Sequence, residues 1–145
     1  MTSRIARTSC ATLALALAFC LGTGTALAFD LYEHNGSLVR LTERNGLVTI
    51  SYQNPKSSLR KLGVRNGTVL FTGRFKGRGL AGTAYVFRKG CQPAPYDVAG
   101  PATGGGSIYL SGAAPVRARG SCAVTGYSER SGNARLVFDA FQGDD

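Results

Sequence analysis

One histidine, His34, is all the imidazole this chain possesses, and that scarcity removes most of the catalytic repertoire before any fold is considered. A Cys–His pair needs a free thiol. A Ser–His–Asp relay would have to recruit His34 with Ser37 and either Asp30 or Asp97, without the sharp G-x-S-x-G turn that presents a nucleophilic serine. Acids are also few. Asp144 and Asp145 end the chain, while Asp30, Glu33, Glu43, Asp97, Glu129 and Asp139 are scattered, so no motif pairs two carboxylates for glycoside hydrolysis. One histidine and no acid-rich loop leave too few ligands for a metal. The glycine-rich stretch Gly100 to Gly106 lacks the Lys-Ser/Thr and the following helix of a phosphate cradle, so it reads as a mobile loop. These absences predict a protein that is not an enzyme and carries no cofactor. His34, within the polar run Glu33-His34-Asn35-Gly36, is expected at a turn, bonded to nearby loop backbone.

A helix of ordinary length is equally absent from the pattern, since apolar residues do not recur at three- and four-residue spacing over any long window. The clearest apolar run lies at the start. Arg4 and Arg7, the run Ala11 to Gly22 and the small-residue site Ala26-Leu27-Ala28 form the three parts of a secretory signal peptide over residues 1–28. The run falls short of the roughly 20 apolar residues that a permanent transmembrane helix needs. Cleavage before Phe29 would leave a single β domain, 29–145, with no transmembrane anchor. The bulky Phe19 before Cys20 argues against lipoprotein processing.

Loss of the leader also removes Cys10 and Cys20, which leaves Cys91 and Cys122 in an oxidising compartment. One disulfide is the simplest use of two such cysteines. Closing their 31-residue separation would stabilise the domain by about 3.7 kcal/mol in the chain-entropy model. The formal charge is +9 for the whole chain and, without Arg4 and Arg7, +7. A basic surface outside the cytoplasm has no routine access to nucleic acid. Its counterparts there are anionic lipids, acidic glycans or an acidic protein, although net charge also simply keeps a small domain soluble.

Strand signals fill what remains. Short alternating or β-rich runs occur at Leu38 to Thr42, Leu47 to Tyr52, Val69 to Phe75, Gly82 to Phe87, Tyr96 to Ala99, Ile108 to Ser111, Cys122 to Tyr127 and Ala134 to Ala140. Asn45-Gly46 supplies a type I′ turn between the first two, and Gly77-Arg78-Gly79 marks a second hairpin tip. Val48, Ile50 and Tyr52 share one face of their strand, and Leu136 and Phe138 lie opposite Arg135, Val137 and Asp139. Asn54 to Leu62 breaks this rhythm and predicts one short helix or lid, with Pro55 at its first position. About eight short strands with tight connections predict an all-β fold, a small antiparallel barrel, with a β-sandwich as the alternative.

The basic residues are more organised than the acids. Lys56, Arg60, Lys61 and Arg65 surround the short helix, Arg74, Lys76 and Arg78 decorate the second hairpin beside Phe71 and Phe75, and Arg88 and Lys89 adjoin Cys91. Alternation places Arg74 and Lys76 opposite Phe75. Two accounts fit: a solvated strand face, or a cationic patch with aromatic neighbours that grips an anionic partner. The segment Phe87 to Tyr96 carries Pro93, Pro95 and a disulfide cysteine, which makes it either a rigid recognition loop or a stapled corner of the barrel. Arg74, Lys76, Arg78, Arg88, Lys89 and Tyr96 are therefore the candidate binding residues.

The combination Tyr32-Glu33-His34-Asn35-Gly36-Ser37, Gly67 to Phe71, and Gly82-Thr83-Ala84-Tyr85-Val86-Phe87 leading to Gly90-Cys91-Gln92-Pro93-Ala94-Pro95-Tyr96 resembles a group of small exported proteins of alphaproteobacteria, mostly uncharacterised. The resemblance implies a periplasmic location and a shared fold, without an activity. A looser resemblance, through Gly82-Thr83-Ala84-Tyr85 and the strand after it, is to periplasmic inhibitors of C-type lysozyme, which are small barrels with a disulfide. Ala81 stands in place of their motif serine, the chain has no Trp, and their early Tyr-x-Cys pattern is missing. The expectation is a non-catalytic periplasmic binding domain for an anionic envelope glycan or lipid or for a protein partner. Inhibition of a cell-wall hydrolase and carriage of a small molecule in the barrel lumen are the alternatives.

Overall fold

A computed structural model of the chain describes residues 29–103 and 106–143. The expected signal peptide, residues 1–28, lies outside the described residues. Ten strands follow in order: β1 (Phe29–His34), β2 (Ser37–Arg44), β3 (Leu47–Asn54), β4 (Val69–Lys76), β5 (Gly79–Val86), β6 (Ala94–Pro101), β7 (Ile108–Ser111), β8 (Ala114–Arg117), β9 (Val124–Ser128) and β10 (Arg135–Ala140). Eight of them close an antiparallel barrel in the order β1-β10-β7-β6-β5-β4-β3-β2, and β8 with β9 forms a separate two-stranded ribbon. The barrel expectation holds; the sandwich alternative does not.

Three expected assignments differ. β1 and β8 are missing from the strands read in the sequence, and the run Cys122 to Tyr127, read there as part of the strand series, forms the ribbon strand β9, paired with β8 outside the barrel. Asp30, Glu33 and His34 obscure the alternation of β1, whose pairing is supplied by β2 and β10 on either side. Val124, Thr125 and Tyr127 are all exposed, so β9 has no buried face to align it with the barrel wall.

Asn45 at φ 52° and Gly46 at φ 76° adopt the two positive-φ positions of the expected hairpin turn, and Asn35-Gly36 repeats the geometry between β1 and β2. Between β3 and β4, Ile50 faces Phe71 and Ser51 faces Val69, so Leu70 is the extra residue of a β-bulge. Leu70 and Phe71 are consequently both buried, in breach of strict alternation. The connecting helix is shorter than expected: α1 covers Ser57–Lys61, and Lys56 rather than Pro55 stands at its N-terminal boundary. Leu59 packs onto the core and Val64 is buried, so this segment covers one end of the barrel, as a lid would.

The interior is filled with side chains. Phe71, Phe138, Ile50, Leu80, Leu110 and Val39 are fully buried and belong to one continuous cluster. Gly73 pairs with Gly82 across β4 and β5, and the Phe71 ring takes the space of the absent side chains: its Cζ would lie 2.4 Å from a Cβ at Gly73 and 2.9 Å from one at Gly82. Full burial of a phenylalanine of this kind stabilises by about 1.5–3 kcal/mol.

Candidate functional site

The antiparallel meander decides which tips share an end of the barrel. The β2–β3 turn lies beside the end of β4, since Val48 pairs with Gly73 and Arg74 Nη1 lies 3.4 Å from the Asn45 carbonyl oxygen. The β4–β5 tip continues past it, from the pair Lys76–Gly79 to Arg78. Arg74 pairs with Ala81 on the outer side, while Phe75 pairs with the buried Leu80 on the side that faces the barrel mouth. Arg74, Lys76 and Arg78 are exposed, and Phe75 retains 44 % exposure at the rim. The adjacent tip adds Arg44, directly opposite Leu47, which is also exposed. The bond from Arg74 goes to a neutral carbonyl, so that contact leaves its charge uncompensated.

Arg44 and Leu47 are not among the candidates that the sequence singles out. Their signal lies in Asn45-Gly46: in an up-and-down meander, alternate hairpin tips fall at the same end.

The Cys91–Cys122 disulfide is formed, with Cα atoms 5.4 Å apart, and it ties the β5–β6 loop to the β8–β9 ribbon. This staple occupies the opposite end of the barrel from the cationic tips. The eight residues of β5 separate the two, about 25 Å at strand rise. The structure therefore does not bring Arg74, Lys76 and Arg78 together with Arg88 and Lys89. Arg88 Nη1 donates to the carbonyls of Ala118 at 2.8 Å and Ser121 at 2.5 Å. Arg117 braces the same junction, donating to the carbonyl oxygens of Cys122 and Gln92, each at 2.7 Å. These two guanidiniums hold loops to one another; Lys89 is exposed beside them.

The helix cations belong to the staple's end as well, because α1 follows β3 where β3 leaves the wall far from Asn45. Arg60 donates to the Pro55 carbonyl, and Arg65 Nη1 donates to the carbonyls of Arg60 and Val64. Both arginines thus fasten the lid to itself.

Tyr96 is a core residue, 5 % exposed, and stands apart from the cationic surface residues. Its hydroxyl donates to the Asn133 carbonyl in the 3-10 turn Gly132–Ala134, and burial pushes its pKa up to about 12. Alternation along β6 puts it inside, with Ala94 and Val98. His34 also departs from expectation. It ends β1 rather than sitting in a turn, is 9 % exposed, stacks on Phe138 with ring centroids 4.7 Å apart and bonds the distant Val137 carbonyl. Burial is the main cause that lowers its pKa, with a smaller contribution from the Lys56 charge and an opposing one from the Val137 bond.

A shallow groove of about 530 Å³ on the outer wall is lined by Thr83, Pro95, Tyr96, Asp97, Ala113 and Tyr127. Asp97 is its one carboxylate. Among the described residues no group of three His, Cys, Asp or Glu side chains could hold a metal ion, and no helix is long and apolar enough to cross a membrane. What the cationic tips can do chemically is attract and hydrogen-bond an anion. No family model matches the chain, and no curated protein or solved structure matches it.

Proposed function

We propose that the protein is a non-catalytic domain, exported to the periplasm by its leader, that binds an anionic component of the cell envelope through the β2–β3 and β4–β5 tips. The observation that carries this reading is the projection of Arg74, Lys76 and Arg78 on one hairpin tip, next to Arg44 on the neighbouring tip. Cations gathered on neighbouring tips raise the local concentration of anionic partners. The disulfide supports an oxidising compartment. The only imidazole is enclosed and engaged at Nδ1, which supports a role in packing.

Charge disfavours the lysozyme-inhibitor alternative. The stapled loops carry Arg88, Lys89 and Arg119 and no acid, a poor match for a cationic hydrolase cleft. A side-chain-filled interior likewise disfavours lumen carriage.

The test is co-sedimentation with envelope fragments at rising salt, comparing the wild type with an Arg74→Ser/Lys76→Ser/Arg78→Ser variant. Binding should fall steeply as the Debye length shrinks from about 10 Å at 0.1 M to about 3 Å at 1 M salt. Salt-insensitive binding, or equal retention of the triple variant, would overturn the proposal.

A further inference from the structure

We infer that the anionic component is a phospholipid surface, and that Phe75 and Leu47 enter it while the surrounding cations hold its headgroups; this rests on the reading just given and narrows it. Cations alone would suit any polyanion. The apolar side chains decide between ligands. Phe75 and Leu47 are each 44 % exposed, stand on neighbouring hairpin tips and are interspersed with Arg44, Arg74, Lys76 and Arg78. On a hydrated glycan these apolar groups would stay in water. At a bilayer interface they reach below the headgroups while arginine and lysine heads remain at the phosphate level.

The same end of the barrel carries more of this chemistry. Phe29, at the start of β1, pairs with Thr42 and is exposed, with the Arg40 guanidinium 5.5 Å from its ring centroid. Phe141, just past β10, donates its backbone N–H to the Leu31 carbonyl and is likewise exposed. Asp30 and Glu43 are acids at this end, and Asp139, on the wall below, accepts from the Ser107 hydroxyl. Arg40, Arg44, Arg74, Lys76 and Arg78 outnumber them. Asp144 and Asp145 lie outside the described residues. At the opposite end Arg60, Arg65, Arg88 and Arg117 are tied to loop carbonyls and brace loops, while Lys61, Lys89, Arg119 and Arg130 are exposed on separate segments.

The absence of tryptophan gives a clean reporter. Phe75→Trp protein, recovered from a periplasmic extract and checked by mass for its N-terminus, is mixed with vesicles of phosphatidylglycerol and phosphatidylcholine, with pure phosphatidylcholine vesicles, and with dextran sulfate. Leu47→Trp provides a second reporter should the first perturb folding. The expected result is a blue shift, with quenching by brominated acyl chains, on the anionic vesicles only. Each cation removed should weaken partitioning about fivefold, so the Arg74/Lys76/Arg78 variant loses about 100-fold. Lys56→Ser/Lys61→Ser, at the far end, should leave partitioning within about twofold; an equal loss there would overturn the orientation. Binding to the anionic vesicles without a blue shift, or binding to dextran sulfate with none to the vesicles, would overturn lipid entry and leave the anionic reading standing. No binding to either would overturn both.

Discussion

His34 Nδ1 lies 2.8 Å from the carbonyl oxygen of Val137, 103 positions further along the chain, across the seam where β1 closes the barrel on β10. A carbonyl only accepts, so Nδ1 carries the proton and donates. The bond joins the first strand to the last, and the ring stacks on Phe138 beside it.

Acid should therefore loosen this seam. Burial lowers the His34 pKa from its ordinary 6.5, so the unfolded chain takes up its proton at higher pH than the folded one. Stability from this group is intact above 6.5 and is lost as pH falls through the lower folded-state value. Thermal melts should be flat from about pH 8 to about 7 and begin to decline below about 6.5, above the usual carboxylate range. His34→Gln, neutral throughout, should flatten that first decline; an unchanged profile would assign it to other groups.

Loss of the staple should lower stability without dissolving the barrel. Cys91→Ser/Cys122→Ser opens a 31-residue separation between two loops, while the barrel strands pair without it. The expected loss is about 2–4 kcal/mol by urea denaturation. The strand signature in circular dichroism should persist.

A close glycine contact beside the Phe71 ring predicts a sharper effect. A Cβ at Gly82 would sit 2.1 Å from the Thr72 carbonyl oxygen and 2.5 Å from the Gly73 Cα, both backbone atoms that cannot rotate away. Gly82→Val should destabilise by about 3 kcal/mol or more, through overpacking and strand displacement. Phe71→Ala tests the same place from the other side, with a loss of about 3–5 kcal/mol from the cavity it leaves. Urea midpoints of the two variants, compared with wild type, check both figures.

Much of this architecture is legible in local pattern. Val48, Ile50 and Tyr52 are buried as their alternation predicts, and so are Leu136 and Phe138. Asn45-Gly46 makes its turn. Counting the cysteines beyond the expected leader is enough to pair Cys91 with Cys122. The candidate site is half legible: Arg74, Lys76 and Arg78 stand out by charge, but nothing local sets Arg44 and Leu47 beside them or sends Arg88 to the far end.

Alternation, turn chemistry and cysteine count by themselves determined an antiparallel, disulfide-linked all-β domain, because each depends on neighbours a few residues apart or on composition. Only the tertiary structure decided that β1 and not β9 completes the wall, that Tyr96 belongs to the core, and that His34 meets Val137. Those outcomes depend on which strand edges remain unpaired once the barrel curls, and strand closure joins residues that sequence distance keeps apart.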